Sequence, residues 1–256
     1  MTRPIRLVLA GLGLIAGTAL SASAHENDVE ITRTASQVCI TSNGTPTHDI
    51  GRFPNSGNPN SFRAQTVRVC VPAEPRLTGR VTRRTSASGI TLSGILIRPG
   101  TADFYDPRSP RGFSRNPASG WRLEGMGAAQ ALGMDAANAH VDHRGLYHYH
   151  AVSAGLLEAA QGTVIGYAPD GFEIHYIGAN ARSSWQLKPG TRATAPGGPH
   201  DGTYEQDWVH VAGSGNLDEC NGATVNGRNV YFATDTFPFF PRCFRGEVSR
   251  DFLGRP

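Results

Sequence analysis

Four of the nine histidines in this 256-residue chain fall in one stretch, Asp135 to His150 (DAANAHVDHRGLYHYH), at His140, His143, His148 and His150. Its second half, Leu146-Tyr147-His148-Tyr149-His150, alternates. Side chains along a strand switch faces at each residue, so Leu146, His148 and His150 share one face and Tyr147 and Tyr149 the other. Asp142-His143-Arg144-Gly145 has the polar, glycine-ending character of a hairpin connection. With His143 to Gly145 as the loop, His140 lies directly across from His148. Cross-strand neighbours have Cβ atoms about 4.5–5.5 Å apart, so His140, His148 and His150 are expected to converge on one face. Three imidazoles so arranged are a nitrogen donor set for a first-row transition ion, zinc or copper, with a position left open for a bound water. The ordinary structural alternative is a polar hairpin face whose histidines bond one another and the backbone. His143 falls in the turn and stands outside the expected ligand set.

Other residues are candidates to complete such a site. His48, after the Asn43-Gly44 turn, is the candidate fourth ligand. Asp142 and Asp170 are the candidate carboxylates, either orienting a ligand through its second ring nitrogen or serving as a base. Glu158 and Glu173 are acids that nothing in the sequence brings to the site. His175 and His210 lie in strand-like segments, where a hydrogen-bonded polar residue is the usual case. Tyr147 and Tyr149 are read as core aromatics. His25 is a separate idea: as a mature N-terminus it would offer an amine and an imidazole to copper, which resembles the copper brace of oxidative polysaccharide monooxygenases. Serine-hydrolase elbows, phosphate loops and dinucleotide fingerprints are absent, so no nucleotide cofactor is expected.

The histidine stretch also carries a family likeness. Gly145-Leu146-Tyr147-His148-Tyr149-His150, preceded by His140-Val141-Asp142, resembles the signature of the YHYH-domain family of bacterial secreted proteins. The likeness extends to Asn43-Gly44-Thr45-Pro46-Thr47-His48, Gly166-Tyr167-Ala168-Pro169-Asp170-Gly171-Phe172, Asp201-Gly202-Thr203-Tyr204, Gly213 to Gly222 and Pro238 to Phe244. It covers most of the chain and implies an exported protein. It implies no particular activity, so chemistry must come from the residues.

The elements that must position these groups begin after a leader. Arg3 and Arg6, the apolar run Leu7 to Leu20 and Ala22-Ser23-Ala24 read as a signal peptide over residues 1–24 cleaved after Ala24. The mature part, 25–256, is then one β-rich domain in the periplasm or secreted, with no transmembrane segment. Its formal charge drops from +3 to about +1 with the leader's two arginines gone, which gives no reason to expect nucleic acid as a partner. Four cysteines in an exported chain favour two disulfides; of the three possible pairings, Cys39 with Cys70 and Cys220 with Cys243 is favoured because each pair's members are neighbours in their own half of the chain. The oligomeric state is not legible.

Alternation over Val29–Ile31, Val38–Ile40, Gln65–Val71, Ile90–Leu92, Ile95–Ile97, Thr163–Tyr167, Glu173–Ile177, Tyr204–Val211 and Val230–Thr234 predicts short strands. Helix is expected only over Ser153–Gln161, capped by Ser153, with a weak one over Met126–Ala137. The pattern is that of an antiparallel, sandwich-like, mainly β domain with a few short helices. Asn43–Asn60 and Thr101–Ser119 read as loops, which on a metal-free alternative would form a groove for a small molecule, an envelope glycan or a partner protein. Arg80, Arg83 and Arg84 read as a solvated basic cluster, and the tail from Arg250 as frayed.

Overall fold

The computed structural model describes residues 26–83 and 85–254. The leader, His25 and Arg84 lie outside them. Five strands lead up to the first valine-rich core and its edge: β1 (Val29–Arg33), β2 (Gln37–Ser42), β3 (Val67–Pro72), β4 (Leu77–Thr82) and β5 (Gly89–Thr91). Then come β6 (Leu96–Ile97), β7 (Gly100–Tyr105), β8 (Phe113–Ser114), β9 (Arg122–Glu124), β10 (Ala139–Val141) and β11 (Tyr147–Tyr149). The one α-helix among the described residues, α1 (Ala154–Leu157), follows the histidine hairpin. The chain ends with β12 (Val164–Tyr167), β13 (Glu173–His175), β14 (Trp185–Leu187), β15 (Trp208–His210), β16 (Gly222–Val225), β17 (Arg228–Phe232) and β18 (Phe244–Gly246).

The protein is mainly β. Eight strands form one sheet in the order β10-β11-β6-β5-β12-β13-β17-β16. It is mixed: β11 runs parallel to β6 and β13 parallel to β17, and the other neighbours are antiparallel. Smaller antiparallel sheets, β1-β2-β3, β8-β7-β9, β14-β15 and β18-β4, surround it. No helix among the described residues is long and apolar enough to cross a membrane.

Alternation explains the first small sheet. Val67, Val69 and Val71 are buried while Arg68 faces solvent. They pack with Val38, Ile40, Ile90, Leu146 and Phe252. Cys70 sits on the Arg68 parity yet is buried, because it is bonded to its cross-strand partner Cys39. Its backbone N–H also donates to Asp251 at 2.8 Å. The second disulfide joins Cys220 to Cys243 in the main core.

Four expectations about elements need correction. The tail does not fray where it is described: Arg250–Phe252 is a 3-10 turn capped by Ser249, and the Phe252 side chain is fully buried. Thr101–Ser119 is not simply a loop, since Gly100–Tyr105 pairs with both Phe113–Ser114 and Arg122–Glu124. The helix after the hairpin is shorter than its pattern, only Ala154–Leu157, although Ser153 caps it as expected by accepting from Leu156 N–H. The weak helix over Met126–Ala137 is a run of turns.

The C-terminal turn closes the valine-rich core, so its loss should be costly. Phe252→Ala is expected to destabilise the protein by about 3–5 kcal/mol, the usual range for emptying a buried phenylalanine site. Urea denaturation of the two proteins measures it, and a loss under about 1 kcal/mol would mean that the turn is not part of that core.

Candidate metal centre

The histidine site is a hairpin made by β10 and β11. His140 pairs with His148, flanked by Ala139 with Tyr149 and Val141 with Tyr147. The turn is His143–Gly145. Gly145 N–H donates to the Asp142 carbonyl at 2.8 Å, and Gly145 takes a φ of +83°, which glycine adopts without steric cost. The Asp142 carboxylate accepts from the N–H groups of Arg144 (2.8 Å) and Leu146 (3.0 Å), locking the turn. His150 continues the ladder by donating its N–H to the Asn138 carbonyl at 2.8 Å.

The three rings come together. Ring centroids are 4.7 Å apart for His140 and His148, 4.7 Å for His140 and His150, and 5.0 Å for His148 and His150. One ligand atom from each can be chosen so that all lie within 4.8 Å of one another. Each ring is also held by its Nδ1. That atom lies 2.9 Å from the Leu132 carbonyl oxygen in His140, 3.1 Å from that of Leu146 in His148, and 3.3 Å from that of Pro99 in His150. A carbonyl oxygen can only accept, so each Nδ1 carries the proton and each neutral ring keeps its lone pair on Nε2.

That tautomer exposes a conflict that a cation resolves. The Nε2 atoms of His140 and His150 are 3.2 Å apart. Two lone pairs cannot hydrogen-bond to each other, and a proton between them would make one ring an imidazolium. Burial opposes this: it pushes His148 and His150 well below the usual imidazole range, with Arg98 and neighbouring rings adding to the effect, and lowers His140 too. Nitrogens bound to one tetrahedral zinc at 2.0–2.1 Å lie about 3.3 Å apart. The donor type, the protonation pattern and the His140–His150 spacing fit a bound ion.

The support behind the rings comes from distant segments. The Pro99 carbonyl that faces His150 also accepts from Arg242 at 3.3 Å, and Arg242 is itself held by Glu124 and Glu205. Gly125 lies against His150, and a Cβ there would stand 2.3 Å from its Nδ1. Leu132 sits in the turns after β9. In front of the rings is a cleft of about 340 Å³, whose walls include Asn58, Asn60, Arg98, Asp103 and Arg111.

Two expected partners lie elsewhere. His48 is on the tyrosine face of the strand, with its Nε2 2.6 Å from the Tyr149 hydroxyl and its Nδ1 2.8 Å from the Asp49 carbonyl, so both nitrogens are engaged away from the cluster. The cause is the pleat: a group touching Tyr149 is on the opposite side from His148. Asp170 is buried in the main core, accepting from Tyr231 OH and Gly246 N–H at 2.8 Å each, and burial raises its pKa. Asp142 does line the cleft, but its carboxylate is paired with Arg98 at 2.9 Å and reaches no histidine ring. The ring-orienting acceptors are main-chain carbonyls instead.

The remaining candidates are likewise accounted for. His175 bonds Thr163 and Glu173, both at 2.9 Å, and His210 packs on Trp185. Glu158 caps the C-terminus of α1. Tyr147 and Tyr149 are fully buried core aromatics, Tyr147 donating to Asp135 at 2.7 Å. Arg83 pairs with Glu219 at 2.9 Å. Arg98, Pro99, Asp103, Gly125, Leu132 and Arg242 were not legible as site residues. Two carried a signal: Arg242 through its place in the Pro238–Phe244 block, and Asp103 through the Thr101–Ser119 segment expected to line a groove.

The protonation pattern sets a pH dependence for the metal-free protein. The folded pKa values of His148 and His150 lie below the unfolded value of about 6.5, so from there downward the unfolded chain takes up protons that the folded one refuses. Stability should therefore fall as pH drops below about 6.5, by up to about 1.4 kcal/mol per pH unit for each ring, until the folded rings protonate. Urea midpoints between pH 7.5 and 5 measure the slope. A His148→Gln/His150→Gln variant should flatten it, and an unchanged slope would count against buried neutral rings.

No curated protein and no solved structure matches the chain. The family model described as YHYH protein matches residues 68–246. That span contains the hairpin, the carbonyls that orient its rings, Gly125 and Arg242, and on it the chain belongs to the YHYH protein family.

Proposed function

We propose that this protein binds a first-row transition ion, zinc or copper, through Nε2 of His140, His148 and His150, and uses it at the floor of an open cleft. The observation that carries this reading is an Nδ1 held by a main-chain carbonyl on all three rings, with one nitrogen from each ring within 4.8 Å of the others and the Nε2 atoms of His140 and His150 3.2 Å apart. A metal-ligating histidine characteristically gives its other N–H to a carbonyl or carboxylate. Structural zinc sites close with four protein ligands, whereas working sites keep three and an open position. Among the described residues the cluster has three members and faces a cleft, which favours a working site.

Within that reading a metal-dependent hydrolase is the enzymatic form. The ion would supply a bound water of lowered pKa and a Lewis acid for a carbonyl or phosphoryl oxygen. The chain's own share is to fix the rings and to line the approach. Asp142 is spent on Arg98 and the turn, so it holds the hairpin in shape instead of serving as the base. A second reading, a binding module without catalysis, is favoured by one observation: Asn58 and Asn60 of the 43–60 segment and Asp103 and Arg111 of the 101–119 segment meet at this same cleft. The proposed setting is outside the cytoplasm, supported by two disulfides and no free cysteine among the described residues.

Metal analysis of protein purified without a histidine tag tests the reading. About one equivalent of zinc or copper is expected, and it should be lost in a His148→Ala/His150→Ala double variant. Metal retained by that variant would overturn the ligand assignment.

Gly125→Ala offers a test that removes no ligand residue. Its new methyl group must displace the His150 ring, so metal affinity is expected to fall about 10–100-fold, as it does when groups behind a ligand are altered. A competition titration with a chromophoric chelator reads it, and wild-type affinity would show that His150 is not held where the three nitrogens meet.

A further inference from the structure

The cleft in front of the rings carries charge that the hairpin does not use. Arg98 is largely buried, its side chain 17% exposed, and one of its nitrogens donates to Asp142 at 2.9 Å. That carboxylate is already shared with two backbone N–H groups of the turn. The Nε and Nη2 of Arg98 meet no protein acceptor among the described residues. Both nitrogens stay open to solvent in the cleft, where a planar oxyanion can take their hydrogen bonds in place of water. Arg111 spends one nitrogen on the carbonyls of Gly57 and Ala131 and lies over the Phe113 ring, 4.4 Å from its centroid. Arg115, exposed at the cleft, makes no ion pair among the described residues.

On the acidic side stand Asp142, already paired, and Asp103, whose carboxylate has neither a hydrogen bond nor an ion pair among the described residues. Three guanidinium groups thus face two carboxylates across the cleft. With the rings neutral, a divalent ion would add two further positive charges. A volume of about 340 Å³ is at the small-molecule end of ligand pockets.

We propose that the cleft binds a small molecule bearing an oxyanion group, a phosphate or a carboxylate. The anionic group sits between the imidazole cluster and the guanidinium groups of Arg98 and Arg115. A hydrogen-bond donor of the ligand, such as a hydroxyl, faces Asp103. This rests on the metal reading and names the ligand class of the same site.

Calorimetry of the tag-free, zinc-loaded full chain with inorganic phosphate and, separately, with acetate tests it, with metal content measured on every sample. Binding of one equivalent that weakens with added salt is expected, and the tighter of the two probes identifies the anion. Arg115→Gln should weaken it roughly threefold, as for an exposed charge, and Arg98→Gln roughly tenfold or more, as for a buried one. Asp103→Asn should instead tighten it, because it removes a like charge. Metal retained with no binding of either anion, or with identical binding in Arg115→Gln and Asp103→Asn, overturns the proposal. Preference for a neutral disaccharide over both anions also overturns it. Should the wild-type chain hold no metal, the metal reading fails by itself. The same titrations on that protein then decide the anion site, upheld by opposite effects of Arg115→Gln and Asp103→Asn and refuted by their absence.

Discussion

Three main-chain carbonyls, those of Pro99, Leu132 and Leu146, determine what the histidine hairpin is able to do. An imidazole with two equivalent nitrogens would be free to rotate and to exchange tautomers. A carbonyl at Nδ1 removes both freedoms, because it can accept and never donate. The consequence is a fixed direction for each Nε2 lone pair. The site's chemistry is therefore written in backbone atoms from three parts of the chain as much as in the histidines themselves.

Much of the surrounding architecture serves those carbonyls. Pro99 is carried between β6 and β7, and β6 lies parallel to the histidine strand. Arg242 reaches the same carbonyl from the segment that ends in Cys243, so the second disulfide and the main core hold part of the His150 support. Glu124 meets Arg242, and the next residue, Gly125, must lack a side chain for the His150 ring to fit. A polar shell of this kind is stable only when each member is satisfied. On this wall Arg242 has two carboxylates and two carbonyls.

The hairpin was legible because its signals are local. Alternation from Leu146 to His150 and a turn ending in glycine are enough to set His140 opposite His148. The cysteine pairing was readable for a similar reason, since Cys39 and Cys70 are direct partners across adjacent strands. What sequence could not supply was the sidedness of distant residues. His48 and Asp170 have the right chemistry but approach from the tyrosine face and from inside the core. Gly100–Tyr105 was hidden by the glycine and prolines around it, and of its two partner strands one is only Phe113–Ser114 and the other begins at Arg122. The carbonyls that orient the rings carry no sequence signal, because every residue has one.

The Tyr-His-Tyr-His run has to serve two neighbourhoods at once. Its tyrosines fill the main core, with Tyr147 on Asp135 and Tyr149 on His48, while its histidines look out into the cleft. Insert or delete one residue in that run and every side chain beyond it turns over, imidazoles into oil and phenols into water. Neither set can drift by a single position without wrecking the other. The fold and the chemistry are thus protected by the same spelling, and a chain that keeps its core here keeps its three nitrogens aligned as well.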